Sequence, residues 1–140
     1  MVEYKWIKPP LNEYKRLFEI VGWTSLMAVS DETLRLAIDN SWQWVSVFDE
    51  GRLVGIGRLI SDGALYALVC DMIVLPEYQN CGIGSSILKM LKDKCAEHNI
   101  QRIWLFAAPG RSGFYIKSGF EVRPENAPGM QMFGAAQLQY

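Results

Sequence analysis

The residues Val74-Leu75-Pro76-Glu77-Tyr78-Gln79-Asn80-Cys81-Gly82-Ile83-Gly84 join two segments of different period. Before them runs an apolar stretch, Ala64 to Val74, which reads as a strand; after them, from Ile83 to about Asn99, apolar residues recur at helical spacing. A strand that turns through glycines into a helix leaves several backbone N–H groups without intrahelical partners, at the positive end of the helix dipole. Backbone alone makes such a turn an anion site, and Gly82 and Gly84 let a bulky phosphate approach where a Cβ would hinder it.

The common phosphate-binding patterns do not fit. A dinucleotide fingerprint requires a third glycine where Ile87 stands, and a P-loop requires Gly-Lys-Ser/Thr where Gly82 is followed by Ile83. The stretch instead resembles the acyl-CoA loop of the GCN5-related N-acetyltransferases, Gln/Arg-x-x-Gly-x-Gly/Ala after a strand ending in Val-x-Pro. Gln79, Gly82 and Gly84 occupy that pattern, behind Val74 and Pro76. The alternative is a plain strand-to-helix turn.

Working outward, the chain has 140 residues, half of them apolar, enough for one domain, 1–140, with its own core. A formal net charge of −1, spread without like-charged blocks, offers no nucleic-acid or anionic-membrane footprint. No apolar run approaches the about 20 residues of a membrane helix, and Met1-Val2-Glu3-Tyr4-Lys5 has no signal-peptide layout, so a cytoplasmic location is expected. Cys70, Cys81 and Cys95 form no C-x-x-C, so neither a disulfide framework nor a metal site is expected.

Tyr4 to Ile7 reads as a first strand. Leu11, Tyr14, Leu17, Phe18 and Val21 mark one face of a helix that Gly22 can close, and Ser30 N-caps a second carrying Leu34, Ala37 and Ile38. Trp44 to Phe48, Leu53 to Leu59 and Ala64 to Val74 form an antiparallel meander turning at Asp49-Glu50-Gly51 and Ser61-Asp62-Gly63. Beyond the Ile83 helix, Ile103 to Ala107 is a strand parallel to the third of the meander, because a helix links them. A short helix from about Arg111 to Ser118 ends at Gly119, and Glu121 to Arg123 with Met130 to Gln137 makes a closing pair. The fold class is α/β (α+β): a mixed, mostly antiparallel sheet of six to seven strands flanked by about four helices. Trp44 and Trp104 are expected in the core and His98 at the surface.

Phe114-Tyr115-Ile116-Lys117-Ser118-Gly119-Phe120 resembles the Phe-Tyr-x-x-x-Gly-Phe element of the same family, and the element order matches that family along nearly the whole chain. The resemblance implies acetyl-CoA, with no metal, lying where the strands at 64–74 and 103–107 splay apart. Met72, Ile73 and Val74 then offer backbone to the pantetheine arm, and Gln79, Asn80, Cys81, Gly82, Ile83, Gly84 and Ser85 surround the pyrophosphate. Phe114, Tyr115 and Lys117 complete the cofactor side.

It further implies direct attack of an amine on the thioester, with Tyr115 as the acid that protonates the departing thiolate. Where many members carry Glu-Asp before Val-x-Pro, this chain has Cys70-Asp71. Asp71 is the candidate base, with Asp49, Glu50 or a held water as alternatives. Trp23, Thr24 and Trp42 are candidate walls of a pocket for a small-molecule amine. The missing glutamate also admits a CoA-binding module without turnover; an enzyme for protein N-termini or lysines is a further alternative, and edge pairing of the closing hairpin would make a homodimer.

Overall fold

The structure is a computed structural model that describes residues 1–22 and 28–132. It divides into two compact units, Met1–Phe106 and Ala107–Tyr140. The first holds a sheet ordered β1-β2-β3-β4-β5, built from Val2–Lys5, Gln43–Asp49, Arg52–Ser61, Tyr66–Val74 and Arg102–Leu105. β1 to β4 run antiparallel to their neighbours and β5 lies parallel to β4. Three helices accompany the sheet: α1 (Leu11–Val21), α2 (Asp31–Asp39) and α3 (Ile83–Glu97).

Local chemistry sets these elements. Gly22, at φ +81°, closes α1, and the Ser30 hydroxyl accepts the Thr33 N–H at the start of α2. Glu50 and Gly51 both have positive φ, 49° and 82°, so β2 and β3 meet in a tight two-residue turn whose twist suits the strands. β4 begins at Tyr66, two residues later than expected from Ala64, because Asp62 Oδ1 takes the backbone N–H groups of Ala64, Leu65 and Tyr66.

The core lies on both faces of the sheet. Ile83, Ile87, Leu88, Leu91 and Cys95 of α3 are buried, as are Tyr14, Leu17 and Phe18 of α1. α3 sits so close to β3 that a Cβ on Gly57 would stand 2.6 Å from Ile87 Cγ2 and 2.8 Å from Met72 Sδ. Arg58, the next residue, points to the opposite face, toward α1 and α2.

Several expectations are corrected. β1 ends at Lys5 and does not reach Ile7, and β5 ends at Leu105. Trp44 is buried with its indole N–H on the Ile38 carbonyl, but Trp104 is 46% exposed, because β5 is an edge of the described sheet; its ring meets Tyr66 at a tilt, 5.2 Å centre to centre. The sheet has five described strands. Among the described residues Glu121 to Arg123 forms no ladder; the Pro124 carbonyl accepts the Ala127 N–H in a turn that also takes the Arg123 guanidinium onto the Ala127 carbonyl. Most of the second partner, 133–137, lies outside the described residues.

Candidate active site

The stretch after β4 is shaped by its own hydrogen bonds. Pro76–Tyr78 forms a 3₁₀ turn, Gln79 Nε2 donates to the Val74 carbonyl at 2.9 Å, and Cys81 Sγ donates to the Tyr78 carbonyl at 2.7 Å. Asn80 and Gly82 then take positive φ, 62° and 85°. Gly82 is the N-cap of α3 and has no side chain to cap with; nothing lies within 4 Å of where its Cβ would be. The first intrahelical bond runs from Ser86 N–H to the Gly82 carbonyl, so the N–H groups of Ile83, Gly84 and Ser85 have no acceptor in the helix. Ile83 buries its side chain while its N–H stays at the helix mouth. Bare N–H groups at a positive dipole end, in open space, fit a phosphate.

Beside this mouth, β4 offers an unpaired edge. Its pairing with β5 covers only Tyr66↔Arg102 to Val69↔Leu105, so Cys70 to Val74 have no partner there. On the other side, Leu75 N–H bonds to Val54 O and Ile73 faces Ile56. By alternation, Ile73 turns its backbone groups to β3, whereas Met72 and Val74 turn theirs to the vacated edge. Of the three residues expected to offer backbone, Met72 is placed to do so, Val74 is placed to do so through its N–H because its carbonyl is taken by Gln79, and Ile73 is not. Gln79, expected at a pyrophosphate, spends its amide on Val74.

Asp71 lies at a β-bulge. Ile56 pairs with Ile73 and Arg58 with Cys70, so β4 carries an extra residue here, and Asp71 has φ +52°. Its Oδ2 accepts the Tyr14 hydroxyl at 2.6 Å and Arg58 Nε at 2.8 Å. Burial and the adjacent carboxylate push the Tyr14 phenol far up, so it remains a donor. The carboxylate expected as a base is thus held in an ion pair whose side chains are only 15% and 11% exposed. Sequence reading missed Tyr14 and Arg58 as its partners; the available signal was an arginine inside the apolar run Leu53 to Leu59. Burial raises the Cys70 thiol, so it stays protonated near neutrality.

In the second unit, α4 spans Ser112–Ile116. Its end explains the aromatic motif: Phe120 N–H bonds to the Tyr115 carbonyl at 3.1 Å, Gly119 N–H bonds to the Ile116 carbonyl at 3.1 Å, and Gly119 has φ +95°. This is a Schellman cap, with its usual apolar contact supplied by the rings of Phe120 and Tyr115, 6.0 Å apart. Phe114 meets Tyr115 edge-on at 5.0 Å. Burial raises the Tyr115 phenol, against a lowering by Arg111, so the hydroxyl is a protonated donor at neutral pH. Lys117 is exposed.

Of the three candidate acceptor residues, the structure describes Trp42. Trp23 and Thr24 lie outside the described residues. Trp42 packs edge-on against His98 at 4.9 Å and borders Gly63. His98 caps the C-terminal end of α3, about 24 Å along the helix from Gly82, so Trp42 lies at the opposite end of α3 from the uncapped helix start. Its neighbours are set by the β3–β4 turn rather than by the splay. His98 is exposed, as expected. No group of three or more His, Cys, Asp or Glu side chains able to hold a metal occurs among the described residues.

Residues 19–129 match the family described as acetyltransferase (GNAT) domain. The chain belongs to the GNAT acetyltransferase family. It is 33% identical over 123 residues to the N-acetyltransferase ycf52-like protein of Prochlorococcus marinus, covering 82% of this chain and 64% of that protein. The chain therefore spans about two thirds of that relative's length. A GNAT-family acetyltransferase from Streptococcus pneumoniae superposes with a TM-score of 0.78 at 28% identity, over 96% of this chain and 99% of the other. The N-acetylglutamate synthase of Neisseria gonorrhoeae, in complex with coenzyme A and N-acetyl-glutamate, shares the fold alone, with a TM-score of 0.69 at 18% identity over 90% of this chain and 30% of that one.

Proposed function

We propose that this GNAT protein transfers an acetyl group from acetyl-CoA to the primary amine of a small molecule by direct attack on the thioester. One observation carries the reading: the uncapped start of α3 at Gly82 adjoins the unpaired edge of β4, so a phosphate seat and a strand-like seat for an extended arm occur side by side. Acetyl-CoA supplies the activated acetyl group. Ile83, Gly84 and Ser85 N–H groups hold the pyrophosphate, and Met72 and Val74 backbone groups orient the arm and polarise the acetyl carbonyl. Tyr115, protonated, gives its hydroxyl proton to the departing thiolate. Asp71 is not assigned the proton of the amine, because its Oδ2 already holds two donors; the amine attacks in its neutral form, the proton its nitrogen loses on becoming an amide passes to solvent, and solvent returns one to the Tyr115 phenolate.

Calorimetric titration with acetyl-CoA, followed by detection of CoA thiol released across a panel of small amines, tests this. Saturable binding and amine-dependent thiol release are expected, with the rate rising with pH through the amine's own pKa. Binding without turnover on any amine would favour a sensing module. No binding at all would refute the reading.

A further inference from the structure

The node around Asp71 has no part in the chemistry assigned above, yet three elements converge on it. Asp71 holds a left-handed backbone conformation inside a strand, φ +52°, which residues bearing a Cβ disfavour and which Asp and Asn tolerate best. One carboxylate oxygen accepts Tyr14 of α1 and Arg58 of β3. Arg58 Nη1 continues to Ser41 Oγ at 2.9 Å and to the Ala37 carbonyl at 3.4 Å, near the end of α2. The guanidinium lies 5.5 Å from the centre of the Trp44 ring, and Tyr14 meets the same ring edge-on at 5.4 Å. The node sits where β4 leaves β5, whose pairing stops at Val69.

Register explains why this place matters. The bulge adds one residue to β4, and a one-residue change reverses which residues face each edge and each side of a sheet. Without it, Ile73 would turn to the open edge, and Met72 and Val74 to β3.

We propose that Tyr14 and Arg58 are positioning residues for acyl transfer, which fix Asp71 in its left-handed conformation and so aim the backbone of Met72 and Val74 at the acyl donor. The inference rests on the reading of the β4 edge as the seat of acetyl-CoA. Asp71 serves through its shape and its two accepted hydrogen bonds, and no proton transfer is assigned to it.

The test compares Asp71→Asn, Asp71→Gly and Asp71→Ala with Tyr14→Phe and Arg58→Met, each assayed well below its own melting temperature. Ile100→Val, a core change away from the node, controls for lost stability. Asn keeps both the accepted bonds and the tolerance for positive φ, Gly keeps only the backbone conformation, and Ala keeps neither. Affinity for acetyl-CoA is therefore expected in the order Asn, Gly, Ala, with Ala and Arg58→Met weakened roughly 10- to 100-fold. Asn should also retain the wild-type pH–rate profile, and Ile100→Val should bind as wild type. Equal collapse of all three Asp71 variants with loss of the acidic limb would assign proton transfer to Asp71 and overturn the proposal. So would Tyr14→Phe and Arg58→Met proteins that melt earlier yet bind acetyl-CoA normally. A wild-type protein that binds no acetyl-CoA would instead remove the reading beneath it, and the proposal with it.

Discussion

Replacing Gly82 by alanine separates what the loop does for folding from what it does for a ligand. Gly82 and Gly51 are matched: φ is +85° and +82°, and neither would bring a Cβ within 4 Å of another atom. Steric crowding therefore contributes nothing, and each substitution costs what a left-handed L-residue costs, about 1–2 kcal/mol. For a chain of this size that lowers the melting temperature by about 3–5 °C per kcal/mol, alike in both variants. They differ in where the new methyl points. At Gly51 it meets solvent on a hairpin tip; at Gly82 it enters the space over the bare N–H groups of α3. Loss of one charge-assisted hydrogen bond to phosphate costs about 1.5–3 kcal/mol, so the Kd for acetyl-CoA should rise about 10- to 150-fold in Gly82→Ala and stay put in Gly51→Ala. Thermal melts paired with calorimetric titration read both quantities. Equal loss of stability with unchanged Kd in Gly82→Ala would refute the assignment of this helix mouth to the pyrophosphate.

Tyr115→Phe should lower kcat by about 10²–10⁴ while leaving the Kd for acetyl-CoA near wild type, as measured by steady-state kinetics beside titration; an unchanged kcat would reduce the phenol to a packing role. Gly57→Ala drives a methyl into Ile87 and Met72 and should cost about 1–3 kcal/mol in urea unfolding, seen as a lower midpoint with an unchanged slope. Asp62 is held below the usual carboxylate range by the N–H groups of Ala64, Leu65 and Tyr66, so its contribution is complete above the ordinary carboxylate pKa and disappears as pH falls through the lowered folded value. The stability gap between wild type and Asp62→Ala should accordingly be full at neutral pH and close in acid; a gap independent of pH would dismiss the carboxylate's charge as its source.

The parts legible in sequence are those that neighbouring residues decide. The faces of α1 and α3, the cap at Ser30 and the hairpin at Glu50-Gly51 follow from periodicity and turn chemistry, and each forms as read. The aromatic motif of α4 proved equally local, because Gly119 and Phe120 complete a cap within six residues of Phe114. What could not be read depends on distant partners. Asp71 invites reading as a base until Tyr14, 57 residues away, and Arg58 are seen on its oxygen. Trp104 looks like core until its strand is found at an edge, and the contact of the Trp42 and His98 rings joins residues far apart in the chain. Extra residues in a strand leave no periodic signature in so apolar a run as Ala67 to Val74, so the bulge was invisible too.

The bond from Gln79 to Val74 has a kinetic consequence. By tying the start of the loop to the strand it leaves, Gln79 fixes the curvature of the loop during folding, before any ligand arrives. A cradle ordered in advance asks little conformational entropy of the ligand and requires no closing step at this end of the site. Acetyl-CoA should then associate in a single fast phase at a rate proportional to its concentration, and CoA should depart as readily. Slow steps in turnover would have to arise elsewhere, in the amine's approach or in the chemistry itself.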